Sequence, residues 1–64
     1  MLNNLINFRK NNNLTQREMA NLLDITYSFY CKIERGVRKP SYNFLVKFKK
    51  SFSTANIDSI FFTS

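Results

Sequence analysis

The residues from Gln16 to Arg35, QREMANLLDITYSFYCKIER, carry a spacing of apolar side chains that strongly limits how the chain can fold. Two short helices joined by a turn of about three to four residues bury such positions when the helices pack nearly perpendicular to each other. Ala20 falls where the helices are expected to approach most closely. A larger side chain there would push them apart. The apolar positions are Met19, Leu23, Ile25, Tyr30 and Ile33.

Signals for helix ends support this pair of helices. The sequence T-Q-R-E at residues 15–18 is that of a capping box, and it predicts a helix that runs to about Leu23. Residues 24–25 form the turn, and Thr26 caps the next helix. That helix is expected to continue through residue 35 and to end at Gly36, because glycine readily adopts the left-handed conformation that follows many helices.

Three further segments have helical spacing, and no stretch is typical of a strand. The first carries Leu2, Leu5 and Phe8 and ends at the asparagine triplet of residues 11–13. Ser41 is the predicted cap of a fourth helix with four inward residues, which are Tyr42, Leu45, Phe48 and Phe52. Asn56 is the predicted cap of a short fifth helix with three apolar residues, which are Ile57, Ile60 and Phe61. The sequence therefore predicts an all-α bundle of five helices in one domain, residues 1–64.

The basic residues are concentrated in one part of the chain. The net charge of the 64 residues is +6, and residues 27–50 carry all of this excess, with seven cations against Glu34. Clustered positive charge indicates a polyanionic partner, most simply a nucleic acid. A solvated basic surface on a small domain is the other interpretation, and charge alone does not separate the two.

Other classes of protein fit the composition poorly. No apolar run approaches the roughly 18 residues of a membrane span, and the N-terminus does not have the pattern of a signal peptide. A single cysteine, Cys31, and the absence of histidine argue against a disulfide and against a zinc site. No nucleophile, base and metal set can be assembled, so we expect no enzyme, no cofactor and no small-molecule ligand. The single cysteine fits a reducing compartment, so we expect a cytoplasmic location.

The sequences of three segments resemble those of the lambda-repressor-like helix-turn-helix family, also called the Xre or Cro type. These segments are LTQREMANLLDIT, YCKIERGVRKPS and ANIDSIFF, and the resemblance extends over roughly residues 5–61 with the helix-turn-helix at about 15–35. It implies a compact five-helix domain whose third helix enters the major groove of DNA. Two departures stand out: Asp24 replaces the usual glycine of the turn, and Tyr30 replaces the usual isoleucine or valine.

The resemblance implies which side chains contact DNA. Tyr27, Ser28 and Lys32 share the outward face of the third helix and are the predicted base contacts. For Lys32 a phosphate contact is an equal alternative, and Tyr27 could meet either a thymine methyl group or a phosphate. The predicted phosphate contacts are Gln16, Arg35, Arg38 and Lys39.

Other residues are given structural roles. The resemblance implies a salt bridge between Arg9 and Glu34 beneath the DNA-facing surface. Phe29 could line the groove edge or extend the core, and the second is favoured. A mostly solvated face is expected for Lys47, Lys49 and Lys50. An apolar C-terminal segment supplies candidates for a dimer interface, which are Ile60, Phe61 and Phe62.

The leading hypothesis is therefore a sequence-specific transcription regulator of bacterial or phage type, acting as a repressor. It would bind double-stranded DNA at a palindromic operator as a homodimer. One alternative is an antitoxin-like protein-binding module with secondary DNA binding. A second alternative is a cationic membrane-active peptide, against which the helix caps and the fixed apolar pattern argue.

Overall fold

The computed structural model describes residues 1–62, and the regular secondary structure of these residues is entirely helical. The prediction of an all-α, five-helix fold is confirmed for this part of the chain. Residues 63–64, the end of the predicted domain, lie outside the described residues. The helices in chain order are α1 (Asn3–Asn11), α2 (Gln16–Leu22), α3 (Tyr27–Glu34), α4 (Tyr42–Ser51) and a C-terminal π-helix (Asp58–Phe62).

Side chains begin three of these helices as the sequence predicted. Thr15 accepts a hydrogen bond from the Glu18 backbone N–H while the Glu18 carboxylate accepts from the Thr15 N–H, which completes the capping box of α2. Thr26 accepts from the Phe29 N–H at the start of α3, and Ser41 begins α4 in the same way. Each cap satisfies a backbone donor that has no partner inside its helix, and so fixes where the helix begins.

Left-handed residues mark the ends of α1, α2 and α3. Asn13, Asp24 and Gly36 have φ angles of 59°, 55° and 78°. Asp24 therefore adopts the left-handed conformation at the turn position where the resemblance would place glycine. Asparagine and aspartate tolerate this conformation better than other residues with a Cβ, which explains how the turn forms without glycine.

One apolar core unites the helices. Its fully or nearly fully buried members are Leu5, Met19, Ala20, Leu23, Tyr30, Ile33, Phe44, Phe48, Ala55, Ile60 and Phe61. The chain is compact, with a radius of gyration of 10.4 Å, close to the value of about 11 Å expected for a globular chain of this length.

The predicted inward face of α4 is partly wrong. Tyr42 was expected to point inward, but its side chain is 80% exposed, and Phe44 takes the buried position instead. Phe48 is buried as predicted, while Leu45 and Phe52 are half-buried at the edge of the core. The segment YNFLVKF is apolar on more than one side, so its spacing alone fits two different inward faces.

The last helix also differs in detail from the prediction. It is a π-helix rather than an α-helix, although Asn56 caps it as expected by accepting from the Ser59 N–H at 3.2 Å. Its residues Ile60 and Phe61 are buried in the core, where Phe61 packs edge-on against Phe44 and Phe48 of α4.

Candidate nucleic-acid interface

The helix α3 separates its residues into an inner and an outer set. Tyr30, Ile33 and Glu34 are buried, whereas Ser28 and Lys32, one turn apart, are exposed. This division follows from the helical repeat, because residues four apart lie on the same face. Tyr27, the first residue of the helix, is 39% exposed. The three predicted base contacts therefore share the outer surface of α3.

These residues line a groove on the surface of α2 and α3. The groove has a volume of about 410 Å³ and is lined by Gln16, Tyr27, Ser28, Cys31, Lys32 and Arg35. It brings the three predicted base contacts together with Gln16 and Arg35, two of the predicted phosphate contacts. Its lining combines hydroxyl and amide groups with two cations, a combination suited to base edges and phosphates.

A buried carboxylate beneath this surface accepts hydrogen bonds from three helices. Glu34 is 2% exposed, and the Arg9 Nε donates to its Oε2 at 2.7 Å. The Tyr30 hydroxyl donates to the same oxygen at 2.5 Å, and the Gln16 Nε2 donates to Oε1 at 2.9 Å. Because the donors come from α1, α2 and α3, one carboxylate connects three helices. The ring of Tyr30 is buried in the core while its hydroxyl bonds to Glu34, which accounts for a tyrosine at a position where the resemblance would place isoleucine or valine.

The electrostatics of the cluster favour an ionised Glu34. Burial raises the pKa of Glu34, but hydrogen bonds from Arg9, Tyr30 and Gln16 outweigh it, so the pKa lies below its usual value of 4.5. The hydrogen bond to Glu34 also raises the pKa of Arg9. Burial, followed by the hydrogen bond to Glu34, raises the pKa of Tyr30. At neutral pH the cluster is therefore a carboxylate surrounded by protonated donors.

Tyr27 is held by contacts that the sequence did not suggest. Its hydroxyl donates to the Gln16 Oε1 at 3.4 Å, and the Arg17 Cζ lies over its ring, 4.2 Å from the centroid. The side chain of Cys31 raises the pKa of Tyr27, so its hydroxyl stays protonated at neutral pH. Arg17 was given no role at the sequence level, because a cation–π contact between α2 and α3 depends on how the two helices cross.

Two of the predicted phosphate contacts are not part of this groove. Arg38 and Lys39 line a second one together with the backbone of Gly36. The Arg38 Cζ also lies over the ring of Phe29, 5.4 Å from the centroid, while Phe29 packs edge-on against Phe44. Phe29 is thus an extension of the core that Arg38 covers. The other residues lining the second groove are Leu2, Pro40, Phe61 and Phe62.

The three dimer candidates are in different environments. Ile60 and Phe61 are 9% and 7% exposed within the monomer, so they offer little surface to a partner. Phe62 is 62% exposed. Of the predicted interface set, the fold therefore leaves only Phe62 on the surface, beside the second groove.

The lysines of α4 are more constrained than predicted. The Lys47 Nζ donates to the Asp24 carbonyl at 3.1 Å, and the Lys49 Nζ donates to the Ala55 carbonyl at 2.7 Å. Both ammonium groups therefore support turns of the chain rather than forming a purely solvated face. Lys50 remains exposed at the end of the helix.

Two kinds of site are absent from the part of the chain that the structure describes. Residues 1–62 hold no group of three or more histidine, cysteine, aspartate or glutamate side chains placed to bind a metal ion. Among the same residues no helix has both the length and the apolar character needed to cross a membrane.

Comparison with known protein families gives a match over most of the chain. A family described as helix-turn-helix domain matches residues 3–52, a range that contains α1 to α4 in full. Neither the curated proteins nor the solved structures gave a match. Since the matched range covers more than half of the chain and includes the α2–α3 pair, the protein belongs to the helix-turn-helix domain family, which indicates a DNA-binding regulator.

Proposed function

We propose that this protein is a sequence-specific transcription regulator of the lambda-repressor-like (Xre/Cro) type, which places α3 in the major groove of operator DNA. The observation that carries the proposal is the groove shared by α2 and α3, where Tyr27, Ser28 and Lys32 lie beside Gln16 and Arg35. In proteins with this motif, the N-terminal residues of the second helix meet base edges while the first helix crosses the backbone.

The outer face of α3 has the donors and acceptors that base readout requires. Lys32 can donate to the O6 and N7 acceptors of guanine, and Ser28 can donate or accept. Tyr27 presents an apolar ring edge to a thymine methyl group. Neither Ser28 nor Lys32 is needed for the core, because both are exposed. Substitutions at these two positions can therefore change which operator is bound without destabilising the fold.

Phosphate contacts are proposed for Gln16, Arg35, Arg38 and Lys39. One amide hydrogen of Gln16 is directed to Glu34, which fixes the group and leaves the second hydrogen for a phosphate oxygen. With Arg35, Arg38 and Lys39 neutralising about three phosphates per protomer, a dimer should lose affinity by about 10³-fold between 50 and 200 mM salt.

We further propose that two protomers bind a palindromic site and repress transcription by occupancy, inside the cytoplasm. A single α3 reads only a few base pairs, so a twofold assembly doubles the site and matches its symmetry. Phe62 is the residue proposed for the interface, because it is a large apolar side chain left exposed beside the second groove.

The test begins with selection of bound duplexes from a random DNA library, followed by gel-shift titration of the enriched site. We expect a palindromic motif and an affinity loss of about 10- to 100-fold for the double variant Ser28→Ala, Lys32→Ala. The control variant Lys50→Ala removes one exposed charge at the end of α4. Equal binding by wild type and the double variant would overturn base reading by α3.

Repression and assembly need separate measurements. A reporter gene placed behind the selected site should fall in expression when the protein is produced, and recover with the double variant. Analytical ultracentrifugation with and without the duplex should give two protomers per site, and Phe62→Ser should weaken that assembly. A one-to-one complex on a full palindrome would contradict the homodimer.

A protein-binding module of the antitoxin kind is the second candidate. The second groove favours it, since it combines apolar Leu2, Pro40 and Phe62 with the cations Arg38 and Lys39. Such a surface suits an apolar segment flanked by acidic residues. Titration with the product of the neighbouring gene tests it: saturable binding that Phe62→Ser abolishes, in a protein with no DNA preference, would favour this candidate.

A further inference from the structure

Most cations of this chain whose contacts are described have a role inside the fold. Arg9 pairs with Glu34, Lys47 and Lys49 donate to carbonyl groups, and Arg38 covers Phe29. Arg17 is different, because its guanidinium lies on Tyr27, a residue of the candidate DNA-binding groove.

The charge of Arg17 is uncompensated within residues 1–62. The salt bridge found there joins Arg9 to Glu34, and the neighbouring Glu18 carboxylate is occupied by the backbone N–H of Thr15. A guanidinium that lies over an aromatic ring keeps N–H donors free at its edge. Arg17 therefore presents an oriented cation with unused donors.

The stacked pair also fixes Tyr27. Gln16 accepts from the hydroxyl of Tyr27, and Arg17 covers one face of the ring, so two neighbouring residues of α2 hold the first residue of α3. An exposed aromatic ring would otherwise sample several rotamers, and ordering it on DNA would reduce affinity. The ring is thus set in position before DNA arrives.

We propose that Arg17 is a further DNA-contacting residue, which binds a backbone phosphate while its guanidinium holds Tyr27 against the bases. This inference rests on the proposed function. Arg17 is assigned to phosphate and Tyr27 to bases because the first helix of the motif crosses the DNA backbone and the second enters the groove. The same side chain then serves affinity and the orientation of a reading residue.

The phosphate contact is tested by the salt dependence of binding. The variant Arg17→Ala should bind the selected duplex about eightfold more weakly per protomer at 0.1 M salt, and the slope of log affinity against log salt should fall by about one per protomer. The control Lys50→Ala removes one charge away from the groove and should leave the slope unchanged. Thermal unfolding of both variants checks that the fold is retained.

The positioning role is tested by a double-mutant cycle with Tyr27. In the Tyr27→Phe background the ring remains, so Arg17→Ala should still reduce discrimination between the selected duplex and one mutated at the Tyr27 base pair. In the Tyr27→Leu background the ring is absent, and Arg17→Ala should lower affinity without any further loss of discrimination. Equal losses of discrimination in the two backgrounds would overturn the positioning role.

The outcomes separate this inference from the function on which it rests. If the wild-type chain selects a DNA site and Arg17→Ala leaves affinity and salt slope unchanged, the inference is wrong and the proposed function stands. If the wild-type chain enriches no sequence at all, the proposed function and the inference fail together.

Discussion

The helices α3 and α4 both carry crowded aromatic residues, but they use them differently. On α4, Phe44 and Phe48 are buried against other rings without any polar partner. On α3, the hydroxyl groups of Tyr27 and Tyr30 are hydrogen-bonded to Gln16 and Glu34. The comparison shows one helix that stabilises the domain and another that positions polar side chains.

The aromatic cluster around α4 accounts for much of the core. Phe48 contacts the rings of Phe8, Phe44, Phe52 and Phe61 at centroid distances of 5.4, 6.2, 5.0 and 5.0 Å. A domain of this size buries only about 60% of its surface, so a few large rings contribute a large share of its stability. Around α3, by contrast, the buried residues include a carboxylate, so stability there also depends on satisfying its hydrogen bonds.

The largest expected effect comes from the α4 cluster. Phe48→Ala should lower the free energy of unfolding by about 3–5 kcal/mol, because it removes a fully buried ring and leaves a cavity. That loss approaches the total stability of a small domain. Urea denaturation measures it, with Tyr42→Ala on the exposed side of the same helix as a control expected within about 0.5 kcal/mol. Similar losses for both variants would contradict the contrast between the two faces.

The next effect concerns the charged cluster beneath α3. Glu34→Gln should cost about 2–3 kcal/mol at pH 7, because Arg9 loses its charged partner in a buried site. The pKa of Glu34 is lowered in the folded state, so its contribution is present above its ordinary value of 4.5 and is lost as the pH falls through the folded pKa. The difference in stability between wild type and Glu34→Gln should therefore shrink between pH 5 and the acid range.

Urea titrations of both proteins across this pH range provide the measurement. Asp58→Asn, which removes an exposed carboxylate of the π-helix, serves as the matched control at pH 7. A stability difference that stayed constant down to acid pH would mean that ionisation of Glu34 does not stabilise the fold.

A smaller loss is expected when only one donor is removed. Tyr30→Phe keeps the ring in the core but deprives Glu34 of a hydrogen bond, which should cost about 1–2 kcal/mol. The free energy of binding to the selected duplex should change less than the free energy of unfolding, since Gln16 and Arg9 still bond to the carboxylate. An unchanged unfolding midpoint for this variant would show that the hydroxyl contributes nothing.

The smallest effect lies at the turn between α2 and α3. Asp24 has a φ of 55°, a conformation that is strained for a residue with a Cβ. Asp24→Gly should raise the free energy of unfolding by about 0.5 kcal/mol, because the strain that is relieved exceeds the entropy that glycine adds to the unfolded chain. Asn21→Gly, inside α2, is the control of opposite sign. The carbonyl that Lys47 contacts is unaffected by the change. Destabilisation by Asp24→Gly would indicate that the aspartate side chain supports the turn.

Much of the fold could be predicted because its signals are local. The residues that begin and end helices, such as Thr15, Thr26 and Gly36, act on backbone groups a few positions away. The face of α4 could not be predicted, since its apolar residues fit more than one orientation and only packing against α3 and the π-helix selects Phe44. The π-helical geometry of the last element likewise depends on the core it closes.

The candidate site was predictable in composition and less so in arrangement. The outward positions of Ser28 and Lys32 follow from the helical repeat. The separation of Arg38 and Lys39 from Arg35 depends on the path of the loop after Gly36, and the contact of Arg17 with Tyr27 depends on the crossing of α2 and α3. Neither the position of a long side chain on a loop nor the crossing of two helices is specified by residues nearby in the sequence.

The carboxylate of Glu34 sets a rule for redesigning the recognition of DNA by this chain. Its donors Arg9, Gln16 and Tyr30 come from three helices, so a redesigned protein must keep these residues together with Glu34. Ser28 and Lys32 are exposed and are not among these residues, so they can be randomised as a separate library. Under the proposed function, DNA specificity is then changed at the exposed positions of α3 while the residues around Glu34 are kept.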